Sequence, residues 1–285
     1  MIKQIAIIGA GTMGRGIAYT CAAAGLSVTV QDIHSHTLET CKEYIDSQFH
    51  KAVQKEFLTA EQANAYGQNI SYTTHLQEAA EQADLVIEAV LEVMELKVGI
   101  FKQLDEYAPK HAILATNTST MSPTEIGAQT NRPPQCIALH FFNPVPKMKL
   151  IEVICGLETS EETVAKSFQF GETIGKECVR INEFPGFAVS RMNCLIGNEA
   201  MKMVMEGVGS IGDIDKAMKL GLNHPMGPLE LADLVGLDTR LRNMEYLHKT
   251  LGETYRPCPI LTKYVKAGRL GRKTGRGFYE YSKQL

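Results

Sequence analysis

A glycine-rich turn directly after a short apolar strand constrains the fold of this chain more than any other feature does. The chain begins MIKQIAIIGAGTMG, in which Gly9, Gly11 and Gly14 form the pattern GxGxxG. The apolar run predicts a strand, and the residues after the turn predict a helix that reaches about Ala24. In such a unit the three glycines allow, in order, a tight turn, close approach of the backbone to a pyrophosphate, and close packing of helix on strand. The unit therefore predicts a dinucleotide site.

The phosphates of such a dinucleotide would bind at the start of the helix, at the N–H groups around Thr12 and Met13. The second predicted strand, VTVQD, ends in Asp32, eighteen residues after Gly14. A carboxylate at this place accepts hydrogen bonds from both ribose hydroxyls of the adenosine, and it repels a 2′-phosphate. These residues predict NAD as the cofactor rather than NADP. The alternative is an ordinary glycine turn followed by a capping Asp.

Seven short β-branched runs predict the strands of one sheet, and amphipathic segments separate the first five of them. This alternation is typical of an α/β fold, a Rossmann-like and mostly parallel sheet with helices on both faces. The segment from about 36 to 65 is long and polar for a plain crossover, and it predicts a helical protrusion. The predicted strands are 5–9, 28–32, 84–90, 112–118, 136–142, 150–154 and 178–182.

The pattern changes near FPGF at 184–187, in a chain of 285 residues that is longer than one core usually serves. We therefore expect an NAD-binding domain over 1–183 and an all-helical domain for substrate and dimerisation over 184–285. Further helical patterns lie at about 213–220, 228–251 and 257–267. The first helix of this domain carries a stripe that predicts either core or a dimer interface, formed by Val189, Met192, Ile196, Ala200 and Met203.

Charge and cysteine content argue against several classes of protein. The net charge of −3 gives no broad attraction to nucleic acid or to an anionic membrane, and the basic loop around Arg272 is flanked by glycines. The 7 cysteines include no CxxC pair and no metal-finger spacing, which predicts reduced thiols in the cytoplasm and no metal site. No apolar run approaches the ~18 residues of a membrane span.

One imidazole and one carboxylate stand inside a predicted apolar hairpin, HFFNPVPKMKLIEV at 140–153. Antiparallel strands around a turn near Pro146 would place His140 opposite Glu152, because each lies six residues from that centre. The carboxylate would then favour the charged ring and fix its tautomer, as a general acid/base requires. Oxidation of an alcohol needs such a group, because a proton leaves together with the hydride. The alternative is a structural His–Glu pair.

The segment NTST at 117–120 lies at the carboxyl end of a predicted strand, where open α/β sheets bind their ligands. Ser119 could donate a hydrogen bond to a substrate oxygen, and Asn117 could position the nicotinamide ribose. Either residue could instead form a turn or cap the next helix.

GAGTMG, Asp32, NTST, HFFNPV, Glu152 and PGF together resemble the L-3-hydroxyacyl-CoA dehydrogenases, and most closely the short bacterial 3-hydroxybutyryl-CoA dehydrogenases. The resemblance extends over nearly the whole chain, and HFFNPV followed by Glu152 is its most specific part. It implies that His140 is the catalytic acid/base, with Glu152 as its partner, and that Ser119 contacts substrate and cofactor. It also implies a homodimer, and it assigns further contacts with NAD to Glu92, Lys97, Asn143 and Lys273.

One position departs from the pattern of these relatives, which commonly read PGF, two further residues, and then Asn and Arg, the Asn helping to hold the substrate. Here Ser190 stands in that place, and its hydroxyl is shorter than an amide and offers one donor instead of two. The resemblance also implies a CoA tail, whose phosphates Lys51 and Lys55 could bind, since they lie four apart on one helix face. The alternative for both lysines is a solvated helix face.

Two other functions are compatible with these residues. The same fold and the same pair of side chains would serve a dehydrogenase of a free 3-hydroxy acid, which would not need Lys51 and Lys55. The second possible function is that of a dinucleotide-binding protein with a structural or regulatory use. Ser190 would then be an early sign of lost catalysis.

Overall fold

The glycine turn joins a strand and a helix in the computed structural model of the chain, which describes residues 2–281. The strand β1 covers Gln4–Ile8 and the helix α1 covers Thr12–Ala23. The chain divides into two compact units, Met1–Phe184 and Pro185–Leu285. The first unit holds the sheet, and the second is helical.

The described residues of the first unit form an eight-stranded sheet in the order β3-β2-β1-β4-β5-β6-β7-β8. Neighbouring strands are parallel except for β6 and β7, which form an antiparallel pair. This order reverses direction between β1 and β4, the kind of switch point at which open sheets bind nucleotides. The remaining strands are β2 (Ser27–Gln31), β3 (Ile70–Thr73), β4 (Leu85–Glu88), β5 (Ile113–Thr116), β6 (Cys136–Phe141), β7 (Leu150–Cys155) and β8 (Glu177–Asn182).

Both faces of the sheet are buried along its central strands, as the apolar runs predict, whereas the edge strands β3 and β8 have no buried residue. Along β1, Ile5 and Ile7 belong to one hydrophobic cluster, whereas Ala6 and Ile8 belong to a second one. Successive side chains of a strand point to opposite faces, so the two clusters lie on the two sides of the sheet. The helices that accompany the strands are α2 (Ser35–Gln54), α3 (Ala60–Gln68), α4 (Leu76–Ala80), α5 (Met94–Tyr107), α6 (Pro123–Gly127) and α7 (Glu161–Thr173).

The long polar segment forms α2 and α3, which pack against each other. α2 is amphipathic, and its buried residues Leu38, Cys41, Ile45 and Phe49 belong to the cluster on the α1 side of the sheet. α3 has no buried residue, and Thr59 begins it with a capping box. This segment is therefore anchored by one face of α2, and α3 is its solvated part.

The strand prediction was incomplete at the edge of the sheet, because β3 was not predicted. Its sequence ISYT is short, and none of its side chains is buried. An edge strand of this kind carries little apolar signal, and it is defined by its parallel pairing with β2. The second strand also ends one residue before Asp32, at Gln31.

The second unit is an assembly of helices around its own core, α8 (Val189–Met205), α9 (Ile211–Gly221), α10 (Pro228–Val235), α11 (Leu237–Leu251) and α12 (Pro259–Lys266). The helical pattern predicted over 228–251 is two helices, since Gly236 between them has φ +99°. The stripe predicted on α8 is wrong as a core face: of its five residues only Ala200 is buried, and Met192 is 58% exposed. The buried face of α8 includes Cys194, Gly197 and Met201 instead.

Within residues 2–281, none of the helices has the length and apolarity that a membrane span requires. All seven cysteines are free thiols, and six of them are buried.

Candidate active site

The three glycines of the turn differ in backbone conformation and in the space around them. Gly9 has φ +99°, a conformation that other residues rarely adopt, and a Cβ there would lie 2.8 Å from the Ala89 carbonyl oxygen. A Cβ at Gly14 would lie 1.8 Å from the Gly9 carbonyl oxygen, so α1 can pack here only with glycine. A Cβ at Gly11 would meet nothing within 4 Å, so space is open beside this part of the backbone.

The first turn of α1 suits an anion. No acidic residue lies in this turn. The N-cap residue is Gly11, so no side chain at the N-cap accepts hydrogen bonds from the first N–H groups of the helix. The Asp32 carboxylate is held beside the turn, because it accepts hydrogen bonds from the Ala10 N–H and the His34 N–H, both at 3.0 Å. Thr12 and Met13 lie in the first turn of α1, and the Thr12 side chain is exposed. An exposed, uncapped helix start beside a fixed carboxylate fits the pyrophosphate and ribose of a dinucleotide.

The hairpin brings His140 and Glu152 together. β6 and β7 pair with His140 directly opposite Glu152, so the predicted register is confirmed. His140 Nδ1 lies 2.7 Å from Glu152 Oε2, and both side chains are buried. A carboxylate in its ionised form only accepts hydrogen bonds, so with Glu152 in that form Nδ1 would be the donor and Nε2 would be the ring nitrogen available to a substrate.

Ser119 lies on that other side of the imidazole. Its Oγ is 3.2 Å from His140 Nε2. The Ser119 N–H donates to Glu92 Oε1 at 3.0 Å, and the Thr118 hydroxyl donates to the same oxygen. The predicted segment NTST thus meets the hairpin residues at the carboxyl ends of neighbouring strands. Hydrogen bonds thus join Glu92 to the backbone of Ser119, the Ser119 hydroxyl to His140, and His140 to Glu152.

Lys97 and Glu92, both predicted to contact NAD, lie next to each other. The Lys97 side chain has no exposed surface. Lys97 Nζ is 3.3 Å from Glu92 Oε2 and 2.8 Å from Glu88 Oε1. Glu88 was not singled out in the sequence, because an acid that ends an apolar strand looks like a boundary residue. Burial raises the pKa of Glu88, against the opposing effect of the Lys97 ammonium. The sequence does contain one signal for Glu88: Lys97 follows nine residues later, on the helix after β4, and is a candidate ion-pair partner.

Asn117 and Asn143 belong to the two loops that flank His140. Asn117 Oδ1 accepts a hydrogen bond from the Phe141 N–H at 3.0 Å, which joins the end of β5 to the end of β6. Asn143 is exposed at the start of the hairpin turn. Lys176 fixes this turn, since its Nζ donates to the carbonyl oxygens of Val145 and Met148 at 2.6 and 2.7 Å.

The other four predicted site residues lie at the end of α2 or in the second unit. Lys51 is in the last turn of α2, Lys55 follows as the C-cap, and both are exposed. Ser190 is half-buried in the first turn of α8, in the second unit. Lys273 also belongs to the second unit, where its Nζ lies 2.5 Å from Asp238 Oδ1.

Two domains of one protein family together match almost the whole chain. Residues 4–184 match the NAD-binding domain of 3-hydroxyacyl-CoA dehydrogenase, and residues 186–281 match the C-terminal domain of the same enzyme family.

Individual relatives agree with this. The chain is 50% identical over 284 residues to a probable 3-hydroxybutyryl-CoA dehydrogenase of Bacillus subtilis, with 99% of both chains covered. It is 44% identical over 282 residues to the 3-hydroxybutyryl-CoA dehydrogenase of Clostridioides difficile, covering 98% of this chain and 100% of that protein. The crystal structure of (S)-3-hydroxybutyryl-CoA dehydrogenase from Ralstonia eutropha superposes with a TM-score of 0.95 at 43% identity, covering 99% of this chain and 100% of that chain. The chain therefore belongs to the 3-hydroxyacyl-CoA dehydrogenase family, with NAD as its cofactor.

Proposed function

We propose that the chain interconverts L-3-hydroxyacyl-CoA and 3-oxoacyl-CoA with NAD, and that 3-hydroxybutyryl-CoA is its substrate. The printed names of the relatives support the choice of a short acyl chain. The observation that carries the mechanism is the hydrogen-bonded line from Ser119 through His140 to Glu152.

In the oxidative direction, His140 Nε2 takes the proton of the 3-hydroxyl group. Glu152 accepts the Nδ1–H bond throughout, so it keeps the ring in this tautomer and stabilises the imidazolium that results. NAD, when bound, would supply the acceptor for the hydride from C3 of the substrate. In the reductive direction the imidazolium returns the proton to the oxygen at C3. The buried position of both side chains limits competition from water for this proton.

Ser119 is proposed to hold the same substrate oxygen. Its Oγ already lies within reach of His140 Nε2, so an oxygen that hydrogen-bonds to both would be held at one point. Glu92 fixes the backbone of Ser119 through the hydrogen bond to its N–H. Ser190 remains a proposed substrate contact that rests on the resemblance, and its single hydroxyl would have to replace the amide of relatives.

The residues proposed to hold NAD are those of the glycine turn and of the strand ends. Thr12, Met13 and the glycines would take the pyrophosphate, and Asp32 would take the adenosine ribose. Asn117, Glu92, Lys97 and Asn143 are proposed for the nicotinamide half, on the basis of the resemblance. Lys273 is proposed as a further contact on the same basis.

Lys51 and Lys55 are proposed to bind the phosphates of the CoA tail. Both side chains are exposed at the end of α2, and a cation there is free to meet an anion. Replacement of both lysines by alanine should raise KM for a CoA ester about 5-fold, because an exposed ion pair contributes about 0.2–1 kcal/mol. Lys42→Ala is the matched control, since Lys42 is an exposed lysine of the same helix. An unchanged KM in the double variant would favour a free hydroxy acid.

Absorbance of NADH with acetoacetyl-CoA tests the function directly. We expect NADH to be consumed with the CoA ester and far more slowly with free acetoacetate, and NADPH to be a poor substitute. Equal rates with acetoacetate would support the free-acid dehydrogenase. Tight NADH binding without consumption of any 3-oxoacyl substrate would support a structural or regulatory protein.

We also propose a homodimer formed through the helical unit, and a reducing, cytoplasmic location. Large apolar side chains are exposed on or beside α8 and α9, namely Met192, Met205, Val208, Leu220 and Leu222. Such side chains are typical of a surface that is covered in an assembly. Light scattering during gel filtration should give twice the mass of one chain. The seven free thiols support the location.

A further inference from the structure

Glu88 is a buried carboxylate whose hydrogen-bonding capacity is fully used. It ends β4, and it has no exposed surface. Oε1 accepts from the Val90 N–H at 2.8 Å and from Lys97 Nζ at 2.8 Å. Oε2 accepts from Lys97 Nζ at 3.0 Å and from the Thr116 hydroxyl at 2.7 Å. A carboxylate has about four acceptor positions, so these four contacts hold it in one orientation.

Lys97 transmits this orientation to Glu92. Its ammonium lies between two carboxylates, at 2.8 Å from Glu88 and 3.3 Å from Glu92, and its side chain is buried. A buried lysine is costly unless it is paired, so Lys97 stays where Glu88 holds it. Glu92 is partly exposed, with 36% of its side chain accessible, and Lys97 is the cation that fixes one of its oxygens.

The other oxygen of Glu92 reaches the reacting groups. Glu92 Oε1 accepts from the Ser119 N–H, and Ser119 Oγ lies 3.2 Å from His140 Nε2. Glu88 is therefore connected to the imidazole through Lys97, Glu92 and Ser119. It contacts none of the reacting atoms, because it is completely enclosed.

A second buried carboxylate of the same unit shows what a purely structural role looks like. Asp105 pairs with Arg132 at 2.7 Å, and both are buried. The remaining donors of Arg132 end on backbone carbonyl oxygens, at Pro109, Asp105 and Ala108. That cluster ends on the backbone and on the exposed side chain of Asn131, whose amide donates to Asp105, whereas the contacts of Glu88 continue to Glu92 and to Ser119.

We propose that Glu88 is a positioning residue for the dehydrogenase reaction, which fixes Lys97 and Glu92 so that the Ser119 hydroxyl stands at His140 Nε2. This inference rests on the proposed function, and it adds a residue to which the resemblance assigns no role. Loss of the Glu88 charge releases Lys97 toward Glu92 alone, and the Ser119 loop moves with Glu92. Displacement of the Ser119 hydroxyl, which is proposed to hold the substrate oxygen, lowers the rate but leaves the acid/base His140 in place.

Glu88→Gln tests the proposal by steady-state kinetics at saturating NADH. We expect kcat with acetoacetyl-CoA to fall about 10- to 100-fold. In a Ser119→Ala background the same substitution should change kcat by no more than about 2-fold, because its route to His140 is already broken. Asp105→Asn is the matched control: it also replaces a buried, cation-paired carboxylate by its amide, and it should leave kcat per folded molecule unchanged.

Hydrogen exchange gives a readout that does not depend on turnover. Amide exchange in residues 117–121 should accelerate in Glu88→Gln, since the Ser119 N–H loses its fixed acceptor, while β6 and β7 keep their protection. An unchanged kcat in the folded variant overturns the proposal. So does an equal loss of kcat with and without Ser119, or unchanged exchange in residues 117–121.

The two proposals fail in different ways. If the unsubstituted chain consumes no NADH with any CoA ester while exchange in residues 117–121 still responds to Glu88→Gln, the proposed function is wrong and the positioning of Ser119 stands. If Glu88→Gln does not fold, Thr116→Val removes one of the four hydrogen bonds and keeps the charge. It should then give a smaller loss of kcat, with the same dependence on Ser119.

Discussion

In the proposed mechanism, His140 and Glu152 each depend on the other for their chemistry. A lone buried carboxylate would be unstable as an anion, and a lone imidazole could present either nitrogen to a substrate. The contact of 2.7 Å between Nδ1 and Oε2 solves both problems, because it leaves Nε2 on the side of Ser119. At this scale the proposed acid/base function belongs to a pair of residues on neighbouring strands.

His140→Ala should lower turnover of acetoacetyl-CoA by about 10²- to 10⁴-fold, the usual contribution of a positioned acid/base. The NADH dissociation constant, measured from NADH fluorescence, should change by less than about 2-fold, because the glycine turn and Asp32 are untouched. His111→Ala is the control, since His111 is exposed and its partner is Asp84. If NADH binding is lost together with turnover, His140 has a structural role instead.

At the scale of the element, α1 and its turn combine a packing requirement with an open surface. Gly14 has no room for a side chain, because a Cβ would lie 1.8 Å from the carbonyl oxygen of Gly9. Gly11 has room, and its backbone at φ −66° and ψ −165° is one that alanine can adopt. The two glycines of one motif therefore differ in what a methyl group would disturb.

Gly14→Ala should lower the free energy of unfolding by about 1–3 kcal/mol or more, as overpacking does in a tight core. Gly11→Ala should keep the unfolding midpoint in urea and weaken NADH binding, since its methyl group would occupy the open space beside the helix start. Each variant is the control for the other. Normal NADH affinity in a folded Gly11→Ala protein would show that the pyrophosphate lies elsewhere.

At the scale of the whole molecule, each unit has a hydrophobic core, and buried charges are paired where the fold requires them. Asp105 and Arg132 join α5 to the segment before β6. Burial alone would raise the pKa of Asp105. Hydrogen bonds from Asn131 and from Arg132, together with the charge of Arg132, outweigh burial and lower that pKa. The ionised form of Asp105 thus stabilises the fold.

The pH dependence of stability follows from the downward shift of the Asp105 pKa. A carboxyl group with a depressed folded-state pKa stabilises the fold above its unfolded-state pKa of about 4, and the stabilisation is lost as the pH falls through the folded-state value. Urea unfolding should therefore show a loss of stability below about pH 4. Asp105→Asn should be less stable at pH 7, and its stability should fall less steeply in acid. Parallel curves for the two proteins would contradict this assignment.

Much of this protein follows from short-range patterns in its sequence. The strand–turn–helix unit, the position of Asp32 and the pairing of His140 with Glu152 each depend on residues close together in the chain, where periodicity and turn length determine geometry. The weak points were those that local signals describe poorly: the polar edge strand β3, the helix break at Gly236 and the buried face of α8.

The network behind His140 depends on the tertiary structure. Local sequence patterns draw attention to Ser119 but not to Glu88, and they do not predict that Glu88, Lys97 and Ser119 belong to one network. They meet because the strand order brings the carboxyl ends of β4, β5 and β6 to one edge of the sheet. Hydrogen bonds between side chains far apart in the chain require positions accurate to a few tenths of an ångström, and only the packed sheet defines positions that closely.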